Sequence, residues 1–190
     1  DVLDVVRFLA GFLNNDSRAK GWIKDLIDNR ARLLDTKQRD IFKDRFLPLL
    51  GQSPDAVYAD ILKKLFNSDS RQRLKLVNMK GCSGELALRV GDEPFGLINI
   101  GDDAAFYKLC EGEEQTDFDT EADEFAASLF SSINRKDSRL HILIGSRKFT
   151  EGWSSWRVST MGLLNMGQGE GSQIIQLFGR GVRLKGQNYS

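Results

Sequence analysis

Near Arg73 the spacing of apolar residues changes from a helical period to alternation, and the chain can fold in few ways on either side of that change. Before it, Val2, Val5, Val6, Leu9, Phe12 and Leu13 recur at helical spacing. Trp22, Ile23, Leu26 and Ile27 do the same, followed by Ile41, Phe42, Phe46 and Leu49. Pro48, Gly51, Ser53 and Pro54 then punctuate before a further helix over Ala56–Phe66. Residues 1–73 are therefore expected to be all helical, with every apolar position used in packing. After the change, Leu74–Met79 and Glu85–Val90 alternate around a Gly-rich turn and predict a hairpin. Phe95–Ile100 is a nearly continuous apolar run, as in a strand buried on both faces.

The rest of the chain continues the α/β rhythm. A short helix is expected from Ala104 to Cys110. Residues 111–124 hold Glu113, Glu114, Asp117, Asp119, Glu121, Asp123 and Glu124 and no base, which predicts a solvated loop and a helix start. That helix would run to Asn134 with Phe125, Leu129, Phe130 and Ile133 inward. Leu140–Ile144 is expected to be a second strand buried on both faces, Val158–Met166 a third, and Ser172–Leu184 a closing helix. The fold class expected is α/β, a parallel sheet flanked by helices and preceded by the all-helical segment.

Charge and composition remove several function classes. Lys plus Arg and Asp plus Glu are each 27, so the chain as a whole is neutral and not a uniformly basic nucleic-acid binder. From Arg135 onward there are nine bases against three acids, and that basic end suggests an anion partner. Two cysteines exclude a disulfide framework and suit a reducing, cytoplasmic setting. With one histidine, His141, they do not make a zinc site. No apolar run approaches the ~20 residues of a membrane span. The opening Asp1-Val2 and the end at Asn188-Tyr189-Ser190 are read as marks of a piece of a larger protein.

Three loops are expected to leave the C-terminal ends of strands, where open α/β sheets bind ligands: Gly101-Asp102, Gly145–Trp156 and Gly167–Ser172. The second is dense in hydroxyls, bases and tryptophan, which suits phosphate-backbone contact through Arg147, Lys148, Thr150, Trp153 and Ser154. The third, Gly167-Gln168-Gly169-Glu170-Gly171-Ser172, reads equally as a phosphate cradle or as a turn with Ser172 as N-cap. In Gln173–Leu184, Gln176, Arg180 and Arg183 fall three and four residues apart and share a helical face. Two arginines and a glutamine there suit the developing charge of a transferring phosphoryl group. Gly179 and Gly181 suggest close approach by a backbone or ligand. No GxxxxGK[ST] is present, so any nucleotide served by these arginines is held mainly elsewhere.

Gln176-Leu177-Phe178-Gly179-Arg180-Gly181-Val182-Arg183 resembles the QxxGRxxR motif VI of superfamily 2 helicases. Phe149-Thr150-Glu151-Gly152-Trp153-Ser154, directly after an expected strand, resembles their motif V. The run Leu143–Gly186 is similar to the Res subunit of type III restriction enzymes, and the similarity extends over about residues 74–186. The resemblance implies that residues 74–190 form the second RecA-like motor domain, truncated at its C-terminal end, with residues 1–73 an inserted or bridging element. It implies that Arg180 and Arg183 act as arginine fingers, with Gln176 sensing the γ-phosphate. Glu151, Gly152 and Gly179 would lie at the nucleotide, and Thr150 and Ser154 would couple it to DNA. ATP and Mg2+ would be held mainly by an N-terminal RecA-like domain of the same parent chain. Double-stranded DNA and a DNA methyltransferase (Mod) subunit are the implied partners, in a bacterial or archaeal cytoplasm, without a membrane or a resident metal of this chain's own. The competing readings are a RecA-like module that only binds DNA or a partner, and a stand-alone nucleotide enzyme centred on Gly167–Gly171.

Overall fold

In the computed structural model the described residues are 1–112, 117–145, 155, 157–162 and 164. Four α-helices form: α1 (Val2–Asn14), α2 (Asp16–Ile27), α3 (Pro54–Leu65) and α4 (Asp103–Glu111). Each begins at a residue type that can accept from the first-turn amides. Asp1 and Asp4 form a reciprocal capping box on α1. Asn15 accepts from Arg18 N at 3.0 Å, Ser53 from Ala56 N at 3.1 Å ahead of Pro54, and Asp102 from Ala105 N at 3.0 Å.

The strands are β1 (Leu74–Met79), β2 (Glu85–Val90), β3 (Glu93–Asn99), β4 (Asp119–Asp123) and β5 (Ile142–Gly145), in the sheet order β4-β1-β2-β3-β5. The expected hairpin is present, with Leu74 opposite Val90 and Asn78 opposite Leu86. Between β2 and β3 the two-residue turn Gly91-Asp92 has its glycine at φ +73, the left-handed first position of a tight hairpin turn. The sheet is mixed rather than parallel. β4 runs parallel to β1 and β5 parallel to β3, while β2 runs against both of its neighbours. The chain therefore crosses the sheet twice. It passes from β3 through α4 to the far edge at β4, then returns through residues 124–141 to β5 at the opposite edge. The two crossovers run in opposite directions over opposite faces, so they share one hand.

Alternation divides the sheet into two unlike faces. One carries Leu74, Leu76, Leu86, Leu88, Val90 and Ile98. It forms a single core with Val6, Leu9 and Leu13 of α1, Ile23 and Ile27 of α2, Val57 and Leu62 of α3, and Tyr107 and Cys110 of α4. Phe66, at the end of α3, joins the layers: its ring meets Phe95 edge-on at 4.8 Å and stacks near Phe12 at 5.9 Å. The helical segment and the sheet thus share one core across Arg73. The other face has a smaller core of Val77, Met79 and Ala87 under Ala126 and Leu129.

Several expectations differ, two of them helical stretches. Residues 41–46 are turns and Leu47–Leu49 is a 3-10 turn. Carboxylates divert this backbone: Asp35 accepts from the amides of Lys37 and Arg39, and Asp40 from that of Phe42. Leu33, Leu34, Ile41, Leu47 and Leu50 consequently stay about half exposed, so the apolar residues of this segment are not all used in packing. Residues 125–134 form turns and a 3-10 turn at Phe130–Ser132 instead of a helix, and Phe125 is 97% exposed rather than inward. Residues 119–123 of the acidic stretch form the edge strand β4. β5 is half-buried, not buried on both faces. Residues 158–162 and 164 are not in a strand. The closing helix expected over 172–184 lies outside the described residues.

Phe66 is 1% exposed and touches both layers. Phe66→Ala is expected to lower unfolding stability by about 3–5 kcal/mol, as for a buried large-to-small change, read as the shift of the urea midpoint.

Candidate functional site

The sheet sets which chain ends come together. β1, β3, β4 and β5 point the same way, so Met79, Asn99, Asp123 and Gly145 end at one edge, where β2 begins at Glu85. Asn99 pairs with Glu85 on one side and with Gly145 on the other. Two of the three expected ligand loops, Gly101-Asp102 and the one beginning at Gly145, therefore leave adjacent strands side by side. This is the position at which open α/β sheets bind ligands. The third, Gly167–Ser172, lies outside the described residues.

The described groups at this edge are chiefly structural. The Glu85 carboxylate is 6% exposed and accepts three hydrogen bonds: Ser128 Oγ at 2.6 Å, Leu129 N at 2.9 Å and Phe130 N at 3.2 Å. Three donors compensate its burial and fold the return crossover onto the sheet. Its own sequence signal is faint. Alternation places Glu85 on the same face as Ala87 and Arg89, but no motif marks it. Asn99 is completely buried, and its side-chain amide has no hydrogen-bond partner among the described residues. Asp102 is occupied as the cap of α4. Cys82 donates to Ala126 O, and burial followed by the nearby Glu85 charge pushes its thiol pKa up, away from a reactive thiolate.

The acidic edge strand faces bases rather than solvent alone. Arg73 meets Asp119 at 2.9 Å, Lys75 meets Glu121 at 2.7 Å and Arg89 meets Asp123 at 3.1 Å. These pairs join three strands into a ladder, though each exposed pair stabilises little by itself. A shallow groove of about 290 Å³ is lined by Leu13, Asn14, Arg71, Gln72 and Arg73. Arg71 reaches Asp16 at 3.3 Å and Arg73 reaches Asp119, so carboxylates already answer its positive charge.

The basic end is also partly engaged internally. Arg135 pairs with Asp137 at 2.9 Å, and Arg139 with Glu93 at 3.7 Å. Arg157 donates to the carbonyls of Ile133 at 2.6 Å, Ser138 at 2.9 Å and Leu140 at 3.0 Å. Just beside it, His141 N donates to Phe95 O, and the His141 ring meets Asn67 Oδ1 at 3.1 Å. Asn67 in turn donates to Pro94 O and Arg139 O, so this corner ties the α3 exit to the entry of β5.

Gln176, Gly179, Arg180 and Arg183, together with Glu151, Gly152, Arg147, Lys148, Thr150, Trp153 and Ser154, all lie outside the described residues. None of the residues expected at ATP or at DNA is therefore among the described residues, and among these no three His, Cys, Asp or Glu side chains group to hold a metal ion. No helix among them is long and apolar enough to cross a membrane. No family model, curated protein or solved structure matches the chain.

Two expectations follow from this geometry. Glu85→Ala removes the acceptor of three donors and is expected to cost roughly 3 kcal/mol. Glu85→Gln, keeping one oxygen, should cost less; urea midpoints read both. Desolvation first, then the Arg157 and Arg139 charges, hold the His141 pKa below its ordinary 6.5. The unfolded chain then takes the proton first, so this contribution is present above about pH 6.5 and is lost as pH falls through the lower folded value. The urea midpoint should fall between about pH 7.5 and about pH 5.5, and His141→Gln should flatten that part of the profile.

Proposed function

We propose that the chain is the second motor domain of an ATP-dependent DNA helicase or translocase of the type III restriction Res class. The observation that carries this reading is an order of parts. The Phe149–Ser154 stretch begins four residues beyond β5, whose C-terminal end lies in register beside that of β3, and Gln176-Leu177-Phe178-Gly179-Arg180-Gly181-Val182-Arg183 follows it in sequence. Motif V and motif VI of such motors stand in this order after a sheet strand. The mixed α/β sheet, with four of five strands running one way, is compatible with a RecA-like core.

On this reading ATP and Mg2+ are held mainly by an N-terminal RecA-like domain of the same protein. Arg180 and Arg183 reach the γ-phosphate only when the two domains close, and Gln176 helps to sense it. An arginine supplied across a closing cleft neutralises charge that develops in the transition state, which links hydrolysis to domain motion. Glu151, Gly152 and Gly179 sit by the nucleotide. Arg147, Lys148, Thr150, Trp153 and Ser154 contact the backbone of double-stranded DNA. Work on DNA alongside a Mod subunit in a bacterial or archaeal cytoplasm belongs to the same proposal.

The test is ATP hydrolysis by this chain and by the full-length protein, each with and without duplex DNA. A silent chain and a DNA-stimulated full-length protein are expected. In the latter, Arg180→Ala and Arg183→Ala should each lower turnover by ~10³-fold or more while the melting temperature stays close to that of the unsubstituted protein. A full-length protein that binds DNA without hydrolysing ATP would replace the motor by a binding module. Turnover by the chain alone would point to a nucleotide site of its own.

A further inference from the structure

Arg157 is one of the bases of the basic end, for which an anion partner is expected, and directly follows the Gly145–Trp156 loop. Its surroundings point elsewhere. Three of the five N–H donors of its guanidinium go to three carbonyls of one short stretch, one from Nη1 to Ile133 and two from Nη2 to Ser138 and Leu140, at 2.6, 2.9 and 3.0 Å. Those carbonyls lie in the return crossover, immediately before β5. The Arg157 amide donates to Ser155 Oγ at 3.2 Å, and Ser155 is 4% exposed, so the backbone around Arg157 is held as well as the side chain.

The consequence is topological. Gly145, at the C-terminal end of β5, is fixed by its register with Asn99. Arg157 grips Leu140, just before the N-terminal end of the same strand. Gly145 and Arg157 are therefore each tied to β5, one at each of its ends. A planar fork with several donors can close three carbonyls at once, whereas a lysine ammonium on a flexible stem has no such shape. Neutral carbonyl partners leave the positive charge uncancelled, yet they fix the plane of the fork and take both donors of Nη2, which a bidentate phosphate contact through that nitrogen would need.

We propose that Arg157 is a positioning residue, a clamp that fixes the far root of the DNA-contacting loop to the entry of β5, and that it makes no phosphate contact. The inference rests on the motor reading for the loop's role; the clamp itself rests on the hydrogen bonds.

Two measurements separate these layers. His141 is the only histidine in the chain, so its ring proton is a single reporter beside the clamp. Arg157→Gln is expected to raise the His141 pKa measured by NMR, with Arg139 and its partner Glu93 left in place; an unchanged value would overturn the clamp. In the full-length protein, Arg157→Gln and Arg157→Lys are both expected to lower DNA-stimulated turnover at saturating DNA by roughly ten- to a hundred-fold. Basal turnover and the salt dependence of DNA binding should stay unchanged. Two outcomes would overturn the positioning role. One is a salt slope smaller by about 0.9, the signature of one lost phosphate contact; the other is full stimulated turnover in Arg157→Lys. Unsubstituted full-length protein with no DNA-stimulated turnover would overturn the motor reading and the positioning role with it, while the His141 measurement would still report the clamp.

Discussion

The structure depends on enclosing β2. This strand has a neighbour on each side and a packed layer on each face, and Leu86, Ala87 and Leu88 are fully buried. Its enclosure requires two different coverings. The leucine face takes the four-helix layer, whose core is large and apolar. The opposite face begins with a buried carboxylate and takes a smaller covering shaped by hydrogen bonds. Burial drives the first, and satisfaction of polar groups dictates the form of the second.

This asymmetry decides how the candidate functional edge is built. Because the return crossover is folded by Glu85 rather than by helical propensity, it reaches β5 as a string of turns. Turns leave carbonyls without helical partners, and three of them become available to one guanidinium. The base that closes them, Arg157, belongs by composition to the basic end expected to meet an anion. Its geometry instead makes it part of the framework that positions the loop.

Much of the local structure was legible in the sequence because local rules decide it. Pro48, Gly51, Ser53 and Pro54 announced the start of α3, and a Gly-rich turn between alternating runs announced the hairpin. Phe95–Ile100 read as buried because a nearly continuous apolar run has little polar side to present, and residues 95–99 are buried. Residues 125–134 misled for a definite reason. Phe125, Leu129, Phe130 and Ile133 have helical spacing, but three serines and a distant carboxylate offered the backbone competing partners. The acids of 119–123 misled in the same way: their bases, Arg73, Lys75 and Arg89, are at least 30 residues away along the chain. The motifs at 149–154 and 176–183 were legible as a pattern, while their geometry lies outside the described residues.

By itself the sequence determined that the Val2–Leu13, Trp22–Ile27, Ala56–Phe66 and Ala104–Cys110 stretches are helical, where the first three strands lie, which of their faces are apolar, and the order of the motifs that suggest a motor. Those properties reside in neighbours a few residues apart. Only the tertiary structure decided that the helical lead shares a core with the sheet, that the acidic stretch becomes an edge strand, and that Arg157 is consumed by backbone carbonyls. Each of these depends on partners brought together across long stretches of chain, and the energy of a hydrogen bond or ion pair depends on where folding places the partner, not on the residue type alone.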